Sequence, residues 1–430
     1  DKLKIYYFIK FNHDIPKFPR NLPIHHLRGV CRGDCLYFRL LCFLVLFSTL
    51  RSSEFLRTLS PVMSSTNAVE SSSSSSVVIP DEWREASETI KSNPSGSTRL
   101  PITVICGPKN SGKSTFSHHL VNILLQKYKK VGYLDTDVGQ PEFTTCGILS
   151  FTFIDTPNQD FTIPCIKNPE RSYFYGDVSC KRNPTLYKNM VQSLFDYYQI
   201  KCQNLQIPLV VNTPGWVKGV GYDTLVDMLR YIAPSYVVKI SISLLKKNLP
   251  NGAFWCSNEL HSDTTVIEIN SALRDSNGRS LLARKDASLQ RDTKMMAYFR
   301  QCVGNHREIE TIKELANELS SHRPYQVPYS SLKIDHLHSQ VPKCERLYLL
   351  NMAIVGLGVT SDDPLPLCVG LGLVRGVDPE KGLLYIITPA GMPVLEHVDT
   401  LLLGLIQIPS CLLQVRGCIS PYMAAGVMPV

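Results

Sequence analysis

Long apolar runs are missing from this 430-residue chain; the run Leu40 to Phe47 is eight residues, well short of what a membrane-spanning helix needs. Cysteine is present at fourteen positions but never as Cys-x-x-Cys. Cys31 and Cys35 stand close together without a second His or Cys set, which argues against a zinc ribbon. Scattered cysteines of this kind fit a reduced intracellular compartment better than a disulfide framework. No Asn-Lys-x-Asp element for reading guanine occurs; Leu332-Lys333-Ile334-Asp335 lacks the Asn. Gly356-Leu357-Gly358 and Gly370-Leu371-Gly372 lack the third glycine and the helix that a dinucleotide fingerprint requires.

The formal charge of +8 is unevenly placed: residues 1–62 hold ten Lys or Arg against four Asp or Glu. Charge balance therefore says little about partners of the folded part. Residues 1–62 also lack any sustained period and begin without Met. They are expected to be a leader rather than native folded sequence, with Met63 a suitable initiator. Residues 63–99, which include the Ser71 to Ser76 run, are expected to form a flexible polar tail.

What is present is decisive. Gly107-Pro108-Lys109-Asn110-Ser111-Gly112-Lys113-Ser114 fits the phosphate-binding pattern Gly-x4-Gly-Lys-Ser/Thr, with Thr115 following. The β-branched run Ile102 to Ile105 precedes it and a helix-like stretch from Ser114 follows. Such a loop points successive N–H groups and a helix N-terminus at phosphate oxygens. Lys113 is expected to reach the β- and γ-phosphates, and Ser114 to offer its hydroxyl to Mg²⁺. ATP and Mg²⁺ are thus the expected ligands.

Strands at 102–105, 131–135, 209–212, 236–240 and about 263–270 alternate with helical stretches, predicting an α/β phosphate-loop core, a parallel sheet wrapped by helices, over residues 100–325. Helices are predicted at about 184–199, 284–302 and 308–319. From 331 to 430, short apolar runs separated by Gly and Pro predict a small β-rich C-terminal domain.

Asp135 and Asp137 end the second strand, on the sheet edge where ligands gather. An acidic residue there either holds Mg²⁺ or accepts the proton of an attacking hydroxyl. The competing reading is a strand-end cap or turn carboxylate, which suits Asp135 better than Asp137. Trp216 follows the strand-end turn Asn212-Thr213-Pro214-Gly215. It is either a platform on which a base stacks or a core side chain covering the sheet edge.

These three segments, in this order and spacing, resemble the polynucleotide 5′-hydroxyl kinase family. Its members include the kinase subunit of the pre-mRNA 3′-end cleavage factor and the nucleolar pre-rRNA-processing kinase; the wording Asp135 to Glu142 is similar to the latter branch. The resemblance implies an ATP:RNA 5′-hydroxyl phosphotransferase. Asp137 matches the carboxylate that activates the 5′-hydroxyl, Gln140 and Thr213 the acceptor site, and Trp216 the base-stacking Trp. Arg291 and Lys294 match a lid helix whose cations close over the γ-phosphate, although a solvated helix face explains the same pattern. Ser179, in Tyr175 to Ser179, takes the place of the family's phosphate clasp with different wording. Asp135 joins Ser114 as an implied metal ligand. The implied setting is the nucleus and nucleolus, beside an endonuclease that leaves 5′-hydroxyl RNA ends, with no membrane role. A different class remains open: an ATP-binding scaffold of a nuclease complex without essential catalysis.

Overall fold

The structure is a computed structural model that describes residues 79–93, 100–157, 165–202, 205–256, 264–272, 286–304, 309, 311–342, 345–361 and 363–413. The predicted leader over 1–62, and Met63 with the serine run, lie outside the described residues.

The first sheet has seven strands in the order β4-β3-β2-β5-β1-β6-β7. They are β1 (Ile102–Cys106), β2 (Val131–Asp135), β3 (Ile148–Ile154), β4 (Arg171–Phe174), β5 (Leu209–Asn212), β6 (Tyr236–Ser241) and β7 (Thr265–Asn270). β2, β5, β1, β6 and β7 run parallel, whereas β3 and β4 add an antiparallel edge. Central strands read as continuous apolar runs because both faces are covered. Ile105 and Val238 face one cluster with Phe116 and Leu120, while Val104 and Val237 face the other with Leu194 and Leu229.

The first face is covered by α1 (Asp81–Ser92) and α2 (Lys113–Leu125), the second by α3 (Pro184–Cys202) and α4 (Gly219–Ile232). α1 corrects the expectation of a polar tail through 99. Trp83, Ala86 and Ile90 sit at helical spacing and are buried, while the rest of the helix is polar. Three apolar positions in twelve residues gave too weak a period to be read as a helix. The edge strands β3 and β4 were likewise not predicted, since they follow β2 by antiparallel pairing rather than a helical crossover.

α5 (Ala287–Arg300) and α6 (Ile312–Ser321) follow, then a six-stranded sheet ordered β8-β12-β11-β10-β13-β9. Its strands are β8 (Tyr325–Pro328), β9 (Lys333–His336), β10 (Ala353–Val359), β11 (Leu367–Asp378), β12 (Leu383–Ile387) and β13 (Thr400–Leu403), antiparallel except for β13 against β9. Short helices α7 (Met392–Leu395) and α8 (Ser410–Leu413) complete the described chain. Met295, Met296 and Phe299 of α5 pack into one cluster with Phe174, Leu371 and Leu402, so α5 rests on both sheets. No helix among the described residues is long and apolar enough to cross a membrane.

Candidate active site

The phosphate loop joins β1 to α2 and depends on backbone conformations that side chains resist. Gly112 has φ +97°, and a Cβ there would come within 2.8 Å of the Trp83 ring. Gly107 (φ +151°) passes so close to β6 that its Cβ would lie 2.4 Å from the Ile240 carbonyl oxygen. Asn110, a residue that tolerates left-handed backbone, has φ 58° at the exposed tip beside Lys109. Lys113 Nζ donates to the carbonyls of Gly107 (3.1 Å) and Pro108 (2.8 Å). Burial lowers the Lys113 ammonium to about 8, with the Asp137 carboxylate opposing the fall. Ser111 Oγ is buried without a hydrogen-bond partner among the described residues, so the loop holds an unused polar atom. Ser114 and Thr115 are half-buried in the first turn of α2. Together with the helix N-terminus, this donor set fits a nucleoside triphosphate.

The two aspartates at the end of β2 differ in environment. Asp135 is fully buried, and its Oδ1 accepts from Asn212 Nδ2 (3.1 Å) and Asp137 N (3.2 Å) while Oδ2 accepts from Glu142 N. Burial pushes its carboxyl up to about 7 against the pull of those amides. Asp135 therefore holds the strand end together, and its enclosure departs from the metal-ligand expectation. Asp137 is half-buried; only its Oδ1 is used, accepting from Gly139 N (2.9 Å) and Gln140 N (3.1 Å). Those bonds fold the loop onto itself, and the Asp137 carboxylate acts electrostatically on Lys113.

The turn after β5 lies against the phosphate loop: a Cβ on Gly215 would meet Lys109 N at 2.5 Å. Thr213 is wholly buried and its hydroxyl donates to Ile105 O (2.7 Å). It ties two strand ends together, which corrects its assignment to an RNA-contacting surface. Trp216 is half-buried, with its ring 5.2 Å from Tyr187, which in turn lies 5.7 Å from Tyr175. A Cβ on Gly221 would sit 2.6 Å from Trp216 Cβ, so the glycine makes room for the indole. Trp216 is thus neither enclosed in the core nor fully exposed: its ring packs on Tyr187 and the residue stays half-buried.

The segment of Ser179 adjoins the Asp137 loop, since a Cβ on Gly139 would lie 3.2 Å from Val178 O. Ser179 Oγ accepts from Lys181 N (3.5 Å) and starts a short 3-10 turn, and Asp177 pairs with Arg182 at 3.1 Å. The C-terminal domain grips this segment through His338 Nε2 on Tyr175 O (2.6 Å) and Leu405 N on Gly176 O (2.6 Å).

On α5, Arg291 and Lys294 are half-buried rather than solvated. Lys294 Nζ donates to the carbonyls of Pro141 and Glu142, the latter at 3.0 Å. Gln290 accepts from Gln140 Nε2 at 2.6 Å. Lys294 thus grips the Asp137 loop, where the expectation had it closing on a phosphate. Sequence reasoning also missed His118, whose Nε2 pairs with Glu142 Oε1 at 3.0 Å. Burial alone would raise the Glu142 carboxyl, but the His118 hydrogen bond and the field of Lys294 and His118 hold it down to about 2. His118 lies five residues after Lys113 in a helix of ordinary composition; nothing in its local sequence marks it.

The geometry agrees with comparisons to known proteins. A family profile described as mRNA cleavage and polyadenylation factor CLP1 P-loop matches residues 107–301, and one described as NOL9-like, C-terminal domain matches residues 320–409. Polynucleotide 5′-hydroxyl-kinase NOL9 of Arabidopsis thaliana is 54% identical over 359 residues, covering 81% of this chain and 96% of the relative. The chain belongs to the NOL9 polynucleotide 5′-hydroxyl-kinase family. The Homo sapiens NOL9 kinase is 30% identical over 362 residues, and the match spans 73% of this chain but only 50% of that relative. The chain thus aligns with nearly all of the plant NOL9 kinase and about half of the animal one. Among solved structures, wild-type Clp1p in complex with Pcf11p superposes with TM-score 0.55 at 14% identity, covering 76% of this chain and 79% of that one. This last likeness shows the fold alone.

Proposed function

We propose that this chain transfers the γ-phosphoryl group of ATP to the 5′-hydroxyl end of RNA, with Asp137 as general base and the loop Gly107 to Thr115 as the triphosphate cradle. The observation that carries the reading is the convergence of Lys113 and Asp137, from two different strand ends, on one edge of the parallel sheet. The 5′-hydroxyl gives its proton to the Asp137 carboxylate as its oxygen bonds to the γ-phosphorus; the bond to the β,γ-bridging oxygen breaks and ADP leaves. Charge spreading over the transferring oxygens meets the Lys113 ammonium, the loop amides and Arg291 of α5. Mg²⁺, held by the Ser114 hydroxyl and phosphate oxygens, would neutralise charge on the β- and γ-phosphates. Among the described residues no cluster of three acidic, His or Cys groups stands ready for a metal, and a Mg²⁺ carried largely by phosphates needs none. Trp216 supports the terminal base, and Gln140 and Ser179 flank the acceptor end.

The biological setting this reading favours is pre-rRNA processing in the nucleolus, beside an endonuclease that generates 5′-hydroxyl ends. Support comes from the NOL9 name of the relatives and from the match of both halves of the chain.

The test is transfer of labelled γ-phosphate from ATP to 5′-hydroxyl single-stranded RNA by the full chain, beside Asp137→Asn. The expected result is labelled RNA from the parent, a loss of about 10²–10⁴-fold in the variant, and retained ATP binding. ATP binding without any transfer, even with the endonuclease present, would replace the kinase by a nucleotide-dependent scaffold.

A further inference from the structure

We propose that Glu142 is a positioning residue that sets the catalytic loop and helix α5 against the phosphate-loop helix. The proposal rests on the kinase reading above and adds a residue to it.

Glu142 reaches three elements with three different groups. Its carboxylate pairs with His118 of α2 at 3.0 Å. Its amide donates to Asp135 Oδ2 at the end of β2. Its carbonyl accepts from Lys294 Nζ of α5 at 3.0 Å. The loop between Asp135 and Glu142 contains Asp137 and Gln140, and Gln140 makes its own bond to Gln290 of α5. Asp137 Oδ1 is occupied by the Gly139 and Gln140 amides, so the reactive carboxylate has no anchor outside its loop there. Its position relative to Lys113 is inherited from the bonds that hold the loop: the Asp135 and Glu142 ends, Thr136 on Asn212 O, and Val138 O under Gly147 N.

The pair is shielded, with the His118 and Glu142 side chains 5% and 19% exposed. An ionised carboxylate in such a place is costly unless its partners are fixed. Fixed they are. His118 is held by α2 and rests 5.5 Å from the Phe143 ring. α5 is pinned from its far side by Met295, Met296 and Phe299, and by Tyr298, whose hydroxyl accepts from Leu371 N at 2.7 Å. α5 is accordingly a strut between the C-terminal sheet and the Asp137 loop, and Glu142 is where the strut meets the nucleotide-binding helix. A misplacement near 1 Å at a reacting group costs on the order of 100-fold in rate.

The experiment compares the full chain with Glu142→Ala and Glu142→Gln. Steady-state phosphorylation of a 5′-hydroxyl RNA oligonucleotide is read beside direct ATP binding and hydrogen–deuterium exchange. Glu142→Ala is expected to lower kcat about 10–100-fold while ATP affinity stays within about threefold. Exchange should rise in residues 136–142 and in α5 but not in β1 or α2. Glu142→Gln keeps an acceptor for His118 and should recover part of kcat. An unchanged kcat in Glu142→Ala overturns the proposal, as does a loss of kcat matched by ATP affinity and by exchange across the whole core. Parent protein that binds ATP without labelling RNA would strike the kinase reading instead. The exchange pattern needs no turnover and judges Glu142 separately.

Discussion

Trp83 of α1 lies directly over Gly112 of the phosphate loop, and its indole N–H donates to Asn270 O at 2.8 Å on the far edge strand. The ring also meets Phe116 of α2 edge-on at 5.4 Å. One side chain therefore braces the loop, the helix after it and β7. Trp83→Ala removes that brace and leaves a cavity with an unpaired carbonyl. Stability should fall by about 3–5 kcal/mol, read by urea unfolding, and ATP affinity should fall with it. A change under about 1 kcal/mol would show α1 to be a loosely held appendage.

Lys113 carries a stability cost in its burial. Its ammonium is buried and falls from 10.5 to about 8 on folding. Between about pH 8 and 10.5 the unfolded chain binds the proton that the native state has released, so native stability rises with pH across that window. Lys113→Met, similar in length and uncharged, should be more stable than the parent at pH 7. The gap should shrink as pH climbs through 8 to 10.5, in denaturant midpoints measured without nucleotide. The same variant should lose phosphoryl transfer by about 10²-fold or more. A gap that is constant with pH would mean that the lysine is not desolvated.

Trp216 can be probed without touching it. Because Gly221 leaves the indole its space, Gly221→Ala must push the ring from its seat on Tyr187. Both Gly221→Ala and Trp216→Ala should raise the RNA Kd, the latter by about 1–3 kcal/mol, with ATP affinity preserved. Equal RNA binding by all three proteins would return Trp216 to a packing role alone.

Gly215 presses on the backbone of Lys109. Gly215→Ala should deform the phosphate loop from the β5 side, and a loss of ATP affinity by isothermal titration with little change in melting temperature is expected. Intact nucleotide binding would show that the turn yields instead of the loop.

The phosphate loop, the five parallel strands and the β-rich C-terminal region were legible because their signals are local. A glycine-rich turn with Lys and Ser, a β-branched run on either side of a helical stretch, and Gly- or Pro-bounded apolar runs each follow from the chemistry of a few adjacent residues. Asp137 and Trp216 could be placed in the fold for the same reason, since each follows a recognisable strand, β2 and β5. α1 was not: its hydrophobic period rests on Trp83, Ala86 and Ile90, and helical order there comes from packing on α2 and β7. Thr213 misled because a hydroxyl at a strand end reads alike whether it faces solvent or, as here, a neighbouring strand's carbonyl.

The sequence by itself determined that the chain has a phosphate-loop pattern, a carboxylate one strand away and the wording of a polynucleotide kinase. Only the tertiary structure decided how those parts are held. His118, Glu142 and Lys294 stand 24 and 152 positions apart along the chain, yet their bonds meet at one loop. Desolvation and charge pairing act through space between elements that folding brings together, so no spacing along the chain encodes them.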